Sequence, residues 1–378
     1  VILGNNSDSM IINGTSDISE VVLLDGGNRD GIGEWMYNTP IDLLGSTTYT
    51  NKLTFNGTTQ SIAGSTMVDW QTVTLDKSNV TFINDAALVT GVGTNSDGSL
   101  QGLVLTNAST LTSPIALGII GDVNIDSTST LSHALGGSIT GNVTNAGLIY
   151  WENLGSTLYV NGNYTGNAGK ISLGTDLGDD NSITDKLVIA KDSIGTTSVT
   201  VRPEGTSAGA QTVEGIKIVD VQGKASPGVF TLASPVEAGA YEYVLLQGGV
   251  STPADGDWYL RSSLIPVTPT DPTTPTDPTE PTTPIYRPGT SNYVSGQTAN
   301  AEQGFLALGT LHERMNEQQV VSTDKQTWAR IYGNTESNNG DSRFNYNQHV
   351  RAAQVGQDLY NKTTTNGTNV HSGVMFDY

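Results

Sequence analysis

Cysteine is absent from the 378-residue chain, which removes disulfide frameworks, thiolate nucleophiles and Cys-based zinc sites together. A thiol-free chain suits export in the unfolded state, because no premature crosslink can trap it in an oxidising compartment. Charge is scarce too: Asp, Glu, Lys and Arg make up 14% of the residues. The balance is acidic, 37 against 17, for a net charge of -20, so nucleic-acid phosphates and anionic headgroups are repelled and no nucleic-acid partner is expected. No run approaches the ~20 apolar residues of a membrane helix. The chain opens at Val1 without Met or signal peptide, as a segment cut from something longer does.

The chain is rich in glycine, with 44 residues, and in Ser, Thr and Asn between short apolar runs. Over residues 1 to about 262, Val73-Thr74-Leu75, Val80-Thr81-Phe82, Leu103-Val104-Leu105, Val123-Asn124-Ile125, Leu158-Tyr159-Val160 and Ile171-Ser172-Leu173 recur, with Gly, Asn or Asp close behind. Such alternation predicts half-buried strands. Strands this short do not hold as isolated hairpins, so their apolar residues need neighbours above and below. A β-sandwich or a parallel β-helix supplies them. Between Ile139 and Leu187, strand, Asn-Gly turn, strand and Gly turn follow within coils of roughly 20 residues, which favours a right-handed parallel β-helix. At ~4.8 Å per coil, about a dozen coils make a rod of roughly 50 to 60 Å. Asn tolerates the left-handed turn conformation, and Asn or Thr ladders satisfy one another from coil to coil.

Residues 266–284, PVTPTDPTTPTDPTEPTTP, read as a semi-rigid spacer, since each Pro fixes φ and removes a donor and the segment cannot join a sheet. From Thr298 to Val321 helix formers dominate, and Phe305, Leu308, Leu311 and Met315 form one helical stripe, with Glu302, Glu313, Arg314 and Glu317 on polar faces. Alternating strands are expected at Thr327–Tyr332, about Ser342–Leu359, and Asn369–Tyr378. In the last, Val370, Val374, Phe376 and Tyr378 share one face with Ser372, and Asn369, His371 and Asp377 the other. That is the dyad of a barrel strand with lipid outside and water inside, although a soluble antiparallel sheet alternates in the same way.

Several stretches resemble a known family in their wording. LYVNGNYTGNAGKISLGTDLGDDNSITDKLVI (158–189) is similar to the late passenger of pertactin-like and self-associating autotransporters. GAQTVEGIKIVDV (209–221) and FTLASPVEAGAYEYVLLQGG through GDWYLRS (230–262) are similar to their autochaperone region. YRPGTSNYVSGQTANAEQGFLALGTLHERMNEQ (286–318) and QTWARIYG (326–333) resemble the pore helix and first barrel strand. The resemblance runs from about Ile139 onward and is to the classical monomeric (type V) autotransporters of Gram-negative bacteria. It implies an all-β chain divided into β-helical passenger (1–190), autochaperone end of the β-helix (191–265), linker (266–285), pore-helix segment (286–325) and the start of an antiparallel outer-membrane β-barrel (326–378). A complete translocator has twelve strands, so the barrel here is incomplete and does not close by itself.

The resemblance also implies roles. Tyr241, Tyr243, Trp258, Tyr259 and Leu260 are expected to pack the autochaperone, as folding template or as a cap against fraying. Phe305, Leu308, Leu311, Glu313, Met315, Glu317 and Arg330 are expected at the pore helix and lumen, with Arg330 paired to Glu313 or Glu317. Localisation at the cell surface for the passenger and in the outer membrane for the barrel follows. So do a host-surface or matrix ligand or copies of itself as partners, and barrel-assembly machinery and periplasmic chaperones for the full-length protein. Asn300 and Asn316 lie where some relatives cut themselves, but no Asn-Asn pair stands there, so cleavage of that kind is not expected.

Catalytic signals are poor, and neither an enzyme nor a cofactor is expected. Gly205–Gly209 fits G-x-S-x-G without the strand-to-helix context of a nucleophile elbow, and Gly340-Asp341-Ser342 falls at a barrel hairpin. The four histidines, His133, His312, His349 and His371, read as surface or lumen residues. Asp179, Asp180 and Asp185 read as turn and strand caps rather than a calcium cradle, because no calcium repeat is matched. An adhesin or self-association rod is the leading function; the alternative is a stalk and secretion module for an enzyme lying upstream of Val1. Residues 1–260 hold 26 acidic and 9 basic side chains, so contact between copies must overcome repulsion.

Overall fold

The computed structural model describes residues 1–3, 7–18, 20–27, 50–224, 226–264, 283–308, 327–338 and 346–378. They form two compact units, Val1–Ile285 and Tyr286–Tyr378.

Alternation dictates the first unit. In Leu53-Thr54-Phe55 the apolar side chains fall on one side of the strand and the threonine on the other. Parallel register repeats this: Leu53 lies beside Val73, then Leu103, Val123, Val143 and Tyr164. None of the six is more than 1% exposed, which fixes this row as the inside of a parallel β-helix. The row beside it, Thr54, Thr74, Val104, Asn124, Thr144 and Thr165, is in the same register and partly exposed.

Three faces enclose the core. The first carries Ser9–Asn13, Lys52–Asn56, Thr72–Asp76, Gly102–Thr106, Val123–Ile125 and Val143–Asn145, and is joined by the front of Tyr164–Thr175 and of Ser193–Pro203. The second carries Thr59–Ile62, Asn79–Phe82, Thr110–Ser113, Thr130–His133 and Leu148–Trp151, which join the back of Tyr164–Thr175. The third runs Ala87–Val89, Leu117–Ile120, Gly137–Ile139, Thr157–Val160, Lys186–Ile189 and Ile216–Val221. Among the described residues the first face has eight rungs rather than the expected dozen. Excursions at the corners, Thr90–Gln101 and Asp176–Asp185, lengthen two coils from about 20 residues to about 30, and from Ile216–Val221 onward the third face takes antiparallel strands in place of further coils.

Polar side chains stitch the corners. Thr58, Ser78 and Ser109 each give a backbone N–H to the hydroxyl of the next coil's serine, Ser78, Ser109 and Ser129. At another corner Asn142, Asn163 and Asp192 give theirs to the side-chain oxygens of Asp122, Asn142 and Asn163. Beside this ladder no side chain fits: a Cβ on Gly162 would stand 2.3 Å from the Gly141 carbonyl, and one on Gly141 2.3 Å from that of Gly121. At these corners the amide N–H groups of one coil are satisfied by side chains of the adjacent coil.

In the second unit the helix spans Pro288–Leu308 among the described residues, beginning ten residues before the expected Thr298. Pro288 stands at its first position, where a fixed φ favours a helix and the missing N–H is no loss. The strands Thr327–Asn338, Tyr346–Thr363 and Asn369–Asp377 pair antiparallel. Arg330 and Gln354 on this sheet bond helix carbonyls, while Ile331 and Phe376 are 88% and 78% exposed. A soluble sheet buries its apolar face; this one turns it outward, the polarity of a membrane-barrel wall. Most of the Pro/Thr segment lies outside the described residues. Its end corrects one expectation: Thr283–Pro284 does join a sheet, paired with Ser263–Leu264, at a two-residue edge where Pro is tolerated.

Candidate functional site: the cap that closes the coil

Parallel pairing gives way to antiparallel at Ile216–Val221. One edge continues the third face beside Lys186–Ile189; the other takes Trp258–Arg261 antiparallel. Tyr241–Gln247 pairs with Trp258–Arg261, and Val236–Ala238 with Tyr241–Gln247, again antiparallel. A tight turn joins Val236–Ala238 to Tyr241–Gln247, and the chain then folds back so that Trp258–Arg261 lies between Tyr241–Gln247 and Ile216–Val221.

The predicted packing residues meet here. Tyr243, Trp258, Tyr259 and Leu260 are buried, and Tyr241 is half-buried against the core. Phe230 joins them: its ring stacks on Tyr164 with centroids 6.0 Å apart and meets Trp258 edge-on at 5.6 Å. Trp258 therefore touches a chain of aromatics that reaches the inner row of the coil.

Tyr243 binds the cap to two corner loops. Its Oη accepts the Ala210 N–H at 3.0 Å and lies 2.9 Å from the Gly178 carbonyl and 3.0 Å from that of Ala210, to one of which it donates. Burial raises the phenol above its ordinary range, which keeps it a donor. Asp180, from the first of these loops, accepts N–H bonds from Val213, Glu214 and Gly215 of the second. Asp185 takes those of Gly174 and Ser156, and Asp179 that of Asn181. All three carboxylates thus serve as amide caps. Ser207, the central residue of the G-x-S-x-G match, sits in the same exposed loop, its N–H on Asp176, with a strand rather than a helix following.

An ionic cluster that sequence reading missed locks the outer strands. Lys217 Nζ stands 2.5 Å from Asp257 Oδ2, and the other oxygen accepts the Val221 N–H. Burial raises the Asp257 carboxyl; Lys217 is held above its usual value, where Asp257 outweighs partial burial. Tyr259 donates to Asp255 at 2.8 Å, and burial with that bond pushes its phenol up to about 12. Arg261 gives its guanidinium to the carbonyls of Gly248 and Glu214. The missed signal was a paired pattern, Lys217 and Asp220 on one strand and Asp257 and Arg261 on the strand now known to face it.

In the second unit Arg330 donates through Nη2 to the carbonyls of Leu306 and Ala307 and through Nε to Gln354 Oε1. Gln354 returns a bond to the Ala307 carbonyl, and Tyr346 donates to Glu302. The helix thus sets Glu302, Leu306 and Ala307 against the polar side of the sheet, while Phe305 and Leu308 stay exposed. Leu311, Glu313, Met315 and Glu317, and with them the expected pairing of Arg330, lie outside the described residues, as does the Gly340-Asp341-Ser342 match.

His133 corrects an expectation: it is not a surface residue but fully buried in the coil.

Residues 137–245 match the family described as autochaperone domain type 1, the stretch in which the coil passes into its cap. The chain is 38% identical over 300 residues to the adhesin BmaC autotransporter of Brucella suis biovar 1 (strain 1330), covering 68% of this chain and 8% of that protein. It is 35% identical over 218 residues to the autotransporter adhesin AIDA-I of Escherichia coli, covering 55% of this chain and 15% of that one. The chain thus spans a small part of these relatives. These matches, over the coil and its cap, make the chain one of the type V autotransporters, whose passengers stand at the cell surface on an outer-membrane barrel.

Proposed function

We propose that the coil is a non-catalytic adhesive rod, acting on a host surface or matrix ligand or on copies of itself, and that its cap is the template on which the coils fold outside the cell. The observation that carries the adhesive reading is the outward row Thr54, Thr74, Val104, Asn124, Thr144 and Thr165, six side chains in one register. A row spaced by ~4.8 Å offers many weak contacts that add along the rod and over many rods. That the relatives are named adhesins is in keeping with this. The template reading rests on the cap: each coil contacts mainly its neighbours, so a closed end with buried aromatics supplies the first surface on which a coil can lie.

The adhesive reading is tested on cells displaying the full-length polypeptide with Thr74→Glu and Thr144→Glu, two non-adjacent rungs. Surface amount stays constant while cell sedimentation or matrix binding falls ~10-fold, since avidity multiplies small losses. Unchanged binding would remove this face from the adhesive role.

A further inference from the structure

His133 lies in the inner row of the second face, beside Ser113 on one side and Trp151 on the other. It is 0% exposed. Its Nδ1 accepts the Gly136 N–H at 3.2 Å, so that nitrogen carries no proton and the ring is neutral, with its hydrogen on Nε2. Nε2 meets no partner among the described residues, and the ring stands edge-on to Trp151, centroids 4.8 Å apart. A second proton has only Nδ1 to occupy, where it would point at the Gly136 N–H. That corner cannot adjust cheaply: Gly136 has φ +68°, and a Cβ there would stand 2.0 Å from the Thr157 carbonyl. The turn lies pressed on the next coil.

Among the described residues no carboxylate is placed to receive an imidazolium. The strands Leu117–Ile120, Val123–Ile125, Gly137–Ile139 and Val143–Asn145 carry no ionisable side chain. From the Leu148–Trp151 side the nearest acid in sequence is Glu152, which accepts the Ser132 hydroxyl at 2.6 Å. From Ser193–Pro203 comes Arg202, whose guanidinium holds the Trp151 carbonyl at 2.6 Å and adds positive charge. Thr110–Ser113 offers Ser113, whose hydroxyl is given to the Ile115 carbonyl.

We propose that His133 is an acid-sensitive latch of the rod: protonation breaks its bond to Gly136 and opens the 133–137 corner at the edge of the autochaperone stretch, so the coil is closed at neutral pH and loosens in acid. Burial, the sole cause, lowers the imidazole from 6.5 to about 4. The unfolded corner therefore binds more protons between these values, and stability is complete above about pH 6.5, declines as pH falls to about 4, and is flat below. Asp185 and Asp257, raised by burial, shift in the opposite sense and oppose loosening in acid, whereas Asp85, Asp126 and Asp255, held low by N–H and hydroxyl bonds, add to it elsewhere in the rod.

The test is amide hydrogen exchange at Gly136 in the full chain from pH 7.5 to 4, corrected for intrinsic rates, beside His133→Asn, whose Oδ1 can accept the same N–H but takes no proton. Wild-type opening should rise ~10-fold per pH unit below 6.5, about 300-fold in all, and the variant should stay level. Acid opening that persists in His133→Asn assigns it to carboxylates and overturns the latch. Should the variant not fold, the wild-type imidazole decides by NMR: titration near pH 4 supports the latch, and titration near 6.5 overturns it.

Discussion

Tyr243 joins three backbone groups with one hydroxyl. Removing it by Tyr243→Phe takes this partner from the Ala210 N–H and the Gly178 carbonyl, while the Ala210 carbonyl keeps the Ser262 hydroxyl, at a cost of about 1–3 kcal/mol. Urea unfolding followed by tryptophan fluorescence should show a lowered midpoint with an unchanged slope; an unchanged midpoint would make the bridge incidental. Such a residue was legible as apolar packing through the wording of the stretch, but its polar role was not, because the Gly178 and Ala210 loops come together only after the coil winds. His133 was within reach of plain alternation: it stands two places beyond Leu131, hence on the same inward side, and its polar character alone argued against that position. Asn145 occupies the inner row in the same way, its amide given to the Tyr164 hydroxyl and the Lys170 carbonyl.

At the scale of the element, corner ladders and the helix clasp carry the predictions. Asn142 donates to Asp122 and accepts from Asn163, so Asn142→Ala breaks two links of one ladder and should cost about 1–2 kcal/mol. The loss should appear as faster amide exchange at Asn163; unaltered exchange would mean that strand pairing alone sets the corner. In the second unit Arg330→Lys keeps the charge but loses the planar fork that reaches two helix carbonyls and Gln354. Helix amides near Leu306 should then exchange roughly 10-fold faster, about one lost charge-assisted bond; equal exchange would show that the clasp does not hold the helix. Strand positions were readable from period-two alternation, whereas the early start of the helix and the pairing of Thr283–Pro284 depend on single prolines whose effect changes with position.

For the whole molecule, order and charge decide. The succession of coil, helix and outward-apolar strands could be read along the chain, because each has its own periodicity. The switch from parallel to antiparallel at Ile216–Val221 could not, since both pairings present the same alternation and differ only in what connects the strands. The excess of 26 acids over 9 bases in residues 1–260 makes contact between rods depend on screening. Cells displaying the rod should sediment faster at 0.5 M salt than at 0.05 M, and equal rates would exclude charge-limited self-association. From Lys52 onward about 20 or 30 residues of chain advance the rod by one strand spacing. The absence of cysteine allows clean paired spin labels on the outward row, at Thr54 with Thr144 and at Thr54 with Thr165. Backbone separations should be about 19 and 24 Å, growing by ~4.8 Å per coil; distances that do not step with coil number would contradict the parallel stack.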